Sequence, residues 1–130
     1  MRGEAVNAEK TILDFLETNE SELVAMELDI WEHPELALDE SYAAQLQADR
    51  LAAAGFQVKH GVDQLPTAFV ASWGEGKPVI GILGEYDALP GLSQKISTTK
   101  DPVVKDAPGH GCGHNLLGMA GLGAALAVKE

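Results

Sequence analysis

The sequence predicts an α/β fold with a mixed sheet, because helical spacing gives way first to strand alternation and then to an apolar run. Apolar residues recur at helical intervals in the first third of the chain, and apolar and polar residues alternate in its middle. A nearly continuous apolar run then predicts a strand buried on both faces. The predicted helices cover residues 7–31, 40–54 and 115–128, and the predicted strands cover residues 56–60, 67–73 and 78–84.

The ends of the predicted helices are marked by residues with known terminal preferences. Pro34 ends the first helix, which we expect to bend or break around residues 19–21. Gly55 is a C-terminal cap for the second helix, and Asn115 is an N-cap for the third. The third helix contains three glycines, which are suited to close packing against a sheet.

The connections predict an incomplete domain. Residues 74–77 have the composition of a hairpin turn, and residues 88–111 form a long irregular stretch of the kind that is often functional. About three strands are predicted, fewer than the usual five or six, and the last helix needs a layer to cover it. We therefore expect the chain to be one portion of a larger domain, without an interdomain linker.

Composition narrows the classes of partner. The formal net charge of −11, with only nine scattered Lys and Arg, argues against nucleic acid as a partner. No apolar run is long enough to span a membrane, and the N-terminus does not resemble a signal peptide. The single cysteine cannot form an intramolecular disulfide and is typical of a reducing compartment. We expect a cytoplasmic chain that binds neither nucleic acid nor membrane.

A candidate metal site lies at residues 109–115. Cys112 and His114 are two positions apart on a glycine-rich loop, so their thiolate and imidazole can face one divalent ion. Alternatively, Cys112 is a small buried apolar residue and His114 an ordinary polar loop residue. His110 is more simply interpreted as a surface histidine. Two ligands do not complete a zinc site, which normally has at least three from the protein.

Glu85 and Asp87 directly follow the predicted buried strand. The ends of such strands are where α/β sheets present functional groups. Carboxylates at this position can bind a metal or orient a histidine that binds one. The alternative is that they only accept hydrogen bonds from nearby backbone groups.

Two motifs carry a resemblance to a known family. Glu85-Tyr86-Asp87-Ala88-Leu89-Pro90-Gly91 and Gly109-His110-Gly111-Cys112-Gly113-His114-Asn115 resemble segments of the aminoacylase and carboxypeptidase family of two-metal peptidases. Within the family, they are most similar to the amidohydrolase branch and its aminobenzoyl-glutamate utilisation group. The resemblance implies a three-layer α/β/α catalytic domain of the zinc-exopeptidase type, with residues 1–130 as its N-terminal portion.

The resemblance also implies roles for particular residues. Cys112 and His114 match metal ligands of this branch, and Asp87 matches an aspartate that orients a ligand. Glu85 stands where the wider family has a ligating histidine, so the resemblance does not assign it a ligand role. Asn115 occupies a position that is often aspartate in related enzymes, and no role is implied for it.

The chemistry implied is hydrolysis of an N-acyl amino acid amide, such as aminobenzoyl-glutamate or a dipeptide, with two divalent ions of zinc or manganese. In family members the general-base glutamate, the other ligands and a lid domain used for dimerisation come later in the chain. We therefore expect residues 1–130 to be inactive alone and the full-length protein to be a homodimer. One alternative is a non-catalytic remnant that binds a metal or a partner, and another is a cysteine hydrolase using Cys112 and His114.

Overall fold

The structure, a computed structural model, describes residues 7–130 as three helices and one β-hairpin. The elements in chain order are α1 (Ala8–Glu32), α2 (Ser41–Ala53), β1 (Gln57–Val62), β2 (Leu65–Ser72) and α3 (His114–Lys129). These bounds confirm the three predicted helices and the first two predicted strands. The expected break in α1 is wrong, since the helix is continuous over 25 residues.

The chain between α1 and α2 is held by one glutamate. Helix α1 ends just before Pro34, as predicted. The carboxylate of Glu35 then accepts hydrogen bonds of 2.9 to 3.0 Å from the backbone N–H groups of Tyr42 and Ala43. These donors are in the first turn of α2, where backbone N–H groups have no partner within the helix and a negative charge is favourable. Glu35 therefore stabilises the start of α2.

The two strands form an antiparallel hairpin with a tight turn at residues 63–64. The register is irregular between His60 and Val62. The hairpin turn predicted at residues 74–77 is wrong, because no strand follows it in residues 7–130.

The predicted central strand at residues 78–84 is also wrong. Val79 and Leu83 are 86% and 91% exposed, and residues 74–87 make no backbone-to-backbone hydrogen bond within the described part of the chain. An apolar run indicates a preference for burial, but a strand forms only where a neighbouring strand supplies its hydrogen bonds. Residues 7–130 provide no such neighbour for this segment.

The core lies between the helices and one face of the hairpin. Ile30 of α1 is fully buried at its centre. The other core residues come from α2 and α3: Ala43, Leu51, Met119, Leu122 and Leu126. Among residues 7–130, no helix is both long enough and apolar enough to cross a bilayer.

Candidate metal centre

Backbone hydrogen bonds bring the two motifs of the sequence together. Leu89 and Gly109 form an antiparallel bridge with N···O distances of 3.1 and 3.0 Å. The N–H of Ala88 also donates to the carbonyl of Glu35 at 2.7 Å, which ties the first motif to the connection after α1. A side chain at position 109 would place its Cβ 2.1 Å from the carbonyl oxygen of Leu92, so only glycine fits this crossing.

A second close approach places Glu85 against α3. The ideal Cβ position at Gly118 lies 2.7 Å from the carbonyl oxygen of Glu85. At Gly121 it lies 3.1 Å from the carbonyl oxygen of Leu83. The glycines of α3 thus allow a close contact, as predicted, but the contact is with the irregular segment before Glu85 rather than with a sheet.

His114 lies between the two carboxylates of the first motif. It is the first residue of α3, and its Nδ1 is 2.7 Å from Oδ1 of Asp87. Its Nε2 is 3.1 Å from Oε2 of Glu85. The side chains of His114 and Asp87 are 21% and 26% exposed, whereas that of Glu85 is 60% exposed. The centre is therefore anchored on the buried side by Asp87 and open to solvent beside Glu85.

The donor set of this cluster suits a divalent cation. Ligand atoms of Glu85, Asp87 and His114 all lie within 4.8 Å of one another. Imidazole nitrogen and carboxylate oxygen are ligands for both zinc and manganese. A carboxylate on one nitrogen of a histidine also fixes the tautomer, leaving the other nitrogen free to bind metal. These residues fit the ion that the sequence implies.

The sequence-predicted ligand Cys112 lies outside this cluster. Cys112 is exposed, and its sulfur is not among the ligand atoms grouped around His114. Its ligation therefore stays a prediction, as do the roles of His114 and Asp87 towards a metal. Both nitrogens of His114 face carboxylates, which disfavours a cysteine hydrolase in which His114 activates Cys112.

His110 is half-buried rather than on the surface. Both of its ring nitrogens are shielded from solvent, which contradicts its interpretation as a surface loop histidine. Burial lowers the pKa of His110, and the backbone carbonyl of Ile30 opposes this shift only in part. His114 lowers the pKa further and Asp87 raises it.

Asn115 links α3 to α1 instead of capping α3. The N-cap is Gly113, in the left-handed conformation with φ of +86°, so the predicted cap at Asn115 is wrong. The buried side-chain amide of Asn115 donates to the carboxylate of Glu27. Burial raises the pKa of Glu27, and this hydrogen bond opposes the shift. Sequence reasoning missed Glu27, although a carboxylate three positions before Ile30, on the apolar side of a helix, is a usable signal.

Tyr86 anchors the residue between the two carboxylates. Its hydroxyl donates to the carbonyl of Thr67 on β2 at 2.7 Å, and the hydroxyl of Thr67 donates to the buried carboxylate of Glu40 at 2.5 Å. Burial, with a smaller effect from the charge of Glu40, raises the pKa of Tyr86 to about 12. Glu85 and Asp87 are thus positioned by the hairpin as well as by α3.

Comparison with known proteins gives several hydrolases as relatives. No model of a known protein family matches the sequence. The chain is 52% identical to one subunit of the p-aminobenzoyl-glutamate hydrolase of Escherichia coli over 78% of its length, which is 21% of that protein. It is 35% and 34% identical to the human and mouse Xaa-Arg dipeptidases over 82% of its length, which is 24% and 23% of those proteins. The chain therefore spans less than a quarter of the length of these curated relatives.

Proposed function

The chain belongs to the aminoacylase and carboxypeptidase family of hydrolases, and from this premise we propose that it supplies part of the metal centre of an amidohydrolase. The observation that carries the proposal is the position of His114 between Asp87 and Glu85. Asp87 holds the imidazole by Nδ1, and Nε2 lies on the more exposed side, where Glu85 is its neighbour. Cys112, two residues earlier on the same loop, is the second ligand in the proposal.

The proposed reaction is hydrolysis of an N-acyl amino acid amide. His114 would hold a divalent ion, zinc or manganese, through Nε2, and in the proposed two-metal site such ions would polarise the carbonyl and lower the pKa of a bound water. In the proposal, the residues of this chain hold the ion and orient its ligand. His114 presents Nε2, Asp87 fixes the tautomer of His114, and α3 fixes the backbone of both motifs. The names of the relatives, a p-aminobenzoyl-glutamate hydrolase and Xaa-Arg dipeptidases, support an aminobenzoyl-glutamate or dipeptide substrate.

We also propose that residues 1–130 are the N-terminal portion of a three-layer α/β/α catalytic domain. The uncovered apolar segment at residues 78–84 and the free edge of β2 support the proposal, since both need neighbouring strands. In this proposal the general base, the remaining ligands and a dimerisation lid come from polypeptide beyond residue 130. The single cysteine supports a cytoplasmic location.

The test compares the full-length protein with the 130-residue chain. Each is incubated with p-aminobenzoyl-glutamate and zinc or manganese, and release of glutamate is measured by chromatography. We expect metal-dependent hydrolysis by the full-length protein, loss of activity with His114→Ala or Cys112→Ser, and no activity from the short chain. Hydrolysis that survives both substitutions and chelation of the metal would contradict the proposal.

A second candidate function is a non-catalytic remnant that binds a partner. The exposed apolar residues Val79, Ile80 and Leu83 favour it, because such a surface commonly marks an interaction site. Hydrogen exchange of residues 78–84 separates the two possibilities. Protection of these amides in the full-length protein alone supports the larger domain, whereas protection in the short chain at micromolar concentration supports self-association.

A further inference from the structure

We propose that Glu85 is itself a ligand of the ion held by His114, while Asp87 binds only the imidazole. This inference rests on the proposed metal centre and goes beyond it, since the family resemblance assigns no ligand role to Glu85. It predicts a three-residue arrangement in which the two carboxylates have different functions. One is an anchor on the buried side of the ring and the other is a ligand on the open side.

The distances to the ring nitrogens of His114 differ between the two carboxylates. Oδ1 of Asp87 is 2.7 Å from Nδ1, the length of a strong charge-assisted hydrogen bond. Oε2 of Glu85 is 3.1 Å from Nε2. Two ligands that each lie about 2.1 Å from one ion are separated by about 3.0 Å at right angles and about 3.4 Å at the tetrahedral angle. The Glu85–His114 spacing falls within this range, so one ion can contact both atoms with little movement.

Charge also favours a cation beside Nε2. Within residues 7–130, the ion pairs of Glu85 and Asp87 are with His114 alone, so no Lys or Arg offsets either carboxylate. With a protonated His114 the cluster keeps a net charge of −1. With a neutral His114 and one divalent ion it has no net charge, which is the more favourable state in a protein that already carries a charge of −11.

Glu85 is also held where an ion can reach it. Its backbone lies against Gly118 of α3, and the next residue, Tyr86, is tied to β2 by its hydroxyl. Its side chain is 60% exposed, so an ion can approach and leave without a change in the fold. The simpler alternative is that Glu85 only forms an ion pair with His114. That ion pair must break before a metal binds to Nε2. Removal of the Glu85 carboxylate should therefore raise the metal affinity if Glu85 only forms an ion pair, and lower it if Glu85 is a ligand.

The experiment measures binding of zinc alone to the 130-residue chain by isothermal titration calorimetry, with folding checked by circular dichroism. We compare Glu85→Gln, Glu85→His and His114→Ala, with Glu75→Gln in an exposed loop as the matched control. Gln and His both remove the negative charge, but only His is a good metal ligand. We expect zinc affinity to fall at least tenfold with Glu85→Gln, to be largely retained with Glu85→His, and to be unchanged with Glu75→Gln.

Each outcome bears on one proposal. Affinity that is unchanged or higher with Glu85→Gln overturns the ligand role and favours a simple ion pair. Equal losses with Gln and His overturn it as well, since the loss then comes from charge alone. If His114→Ala binds zinc as tightly as the unaltered chain, the metal centre of the proposed function fails. Loss with His114→Ala but not with Glu85→Gln leaves the proposed function in place and rejects only the role of Glu85.

Discussion

Gly118→Ala tests whether close packing against α3 positions the candidate centre. The new methyl group would lie 2.7 Å from the carbonyl oxygen of Glu85, below the 3.0 Å that real Cβ contacts essentially never cross. Nearby, the side-chain oxygen of the buried Gln47 would lie at 3.1 Å and would have to shift by a few tenths of an ångström. The backbone of Glu85 must therefore move away from the helix.

The expected magnitude follows from two opposing effects. Overpacking a close contact costs about 1–3 kcal/mol, whereas alanine favours a helix over glycine by about 1 kcal/mol. The matched control is Gly123→Ala in the same helix, whose Cβ would have its nearest neighbour, Leu23 Cδ1, at 3.4 Å, an ordinary contact. Gly123→Ala should keep the full helix advantage. We expect the free energies of unfolding of the two variants to differ by about 2 kcal/mol, with Gly118→Ala the less stable.

Thermal and urea unfolding followed by circular dichroism measure this difference. For a chain of this size, about 2 kcal/mol corresponds to a difference of roughly 6–12 °C in Tm. We also expect weaker zinc binding by Gly118→Ala and unchanged binding by Gly123→Ala, because only the first displaces Glu85. If Gly118→Ala stabilises the chain as much as Gly123→Ala does, the segment before Glu85 is not held against α3.

Four further substitutions, one of them a control, test individual contacts. Asp87→Asn should weaken zinc binding about 10–100-fold in calorimetry, since it removes the charge that orients the imidazole; unchanged affinity would refute that orienting role. Tyr86→Phe should lower the free energy of unfolding in urea by about 1 kcal/mol, because it removes a partly buried hydrogen bond. Tyr42→Phe removes an exposed hydrogen bond and should lower the free energy of unfolding by less. A larger loss with Tyr42→Phe than with Tyr86→Phe would contradict the role given to burial. Burial raises the pKa of Glu27 in the folded state above 4.5, so the folded state binds a proton at a higher pH than the unfolded state does. The free energy of unfolding therefore falls as the pH rises through the folded-state pKa. The stability of Glu27→Gln relative to the unaltered chain should therefore increase as the pH rises above 4.5, and a difference that does not change with pH would count against the shift.

Local sequence signals predicted the regular elements well. The helical spacing in α1, the proline after it and the glycine after α2 act within a few residues, so neighbours in sequence are enough to fix them. The strand signals in β1 and β2 were also sufficient, because the two strands pair with each other across a short turn. The run at residues 78–84 has a signal of equal strength but no partner within residues 7–130, and there the prediction failed.

The candidate centre was likewise predicted from the sequence only in part. The residue types and spacing of Cys112, His114, Glu85 and Asp87 identified the two motifs and the kind of ion that they suit. Sequence could not assign each carboxylate to a nitrogen of His114, because that depends on the bridge between Leu89 and Gly109 and on the packing at Gly118. Nor did it show that Cys112 lies outside the cluster or that Asn115 reaches Glu27 on another helix.

The sequence by itself determined the three helices, the paired strands β1 and β2, and the residue types available for metal chemistry, because these are properties of short stretches of chain. Only the tertiary structure decided which side chains meet. The contact between Asp87 and His114 joins residues 27 positions apart, and that between Glu27 and Asn115 joins residues 88 positions apart. Such contacts depend on how helices and loops pack, which for Asp87 and His114 includes the close backbone approaches at Gly109 and Gly118.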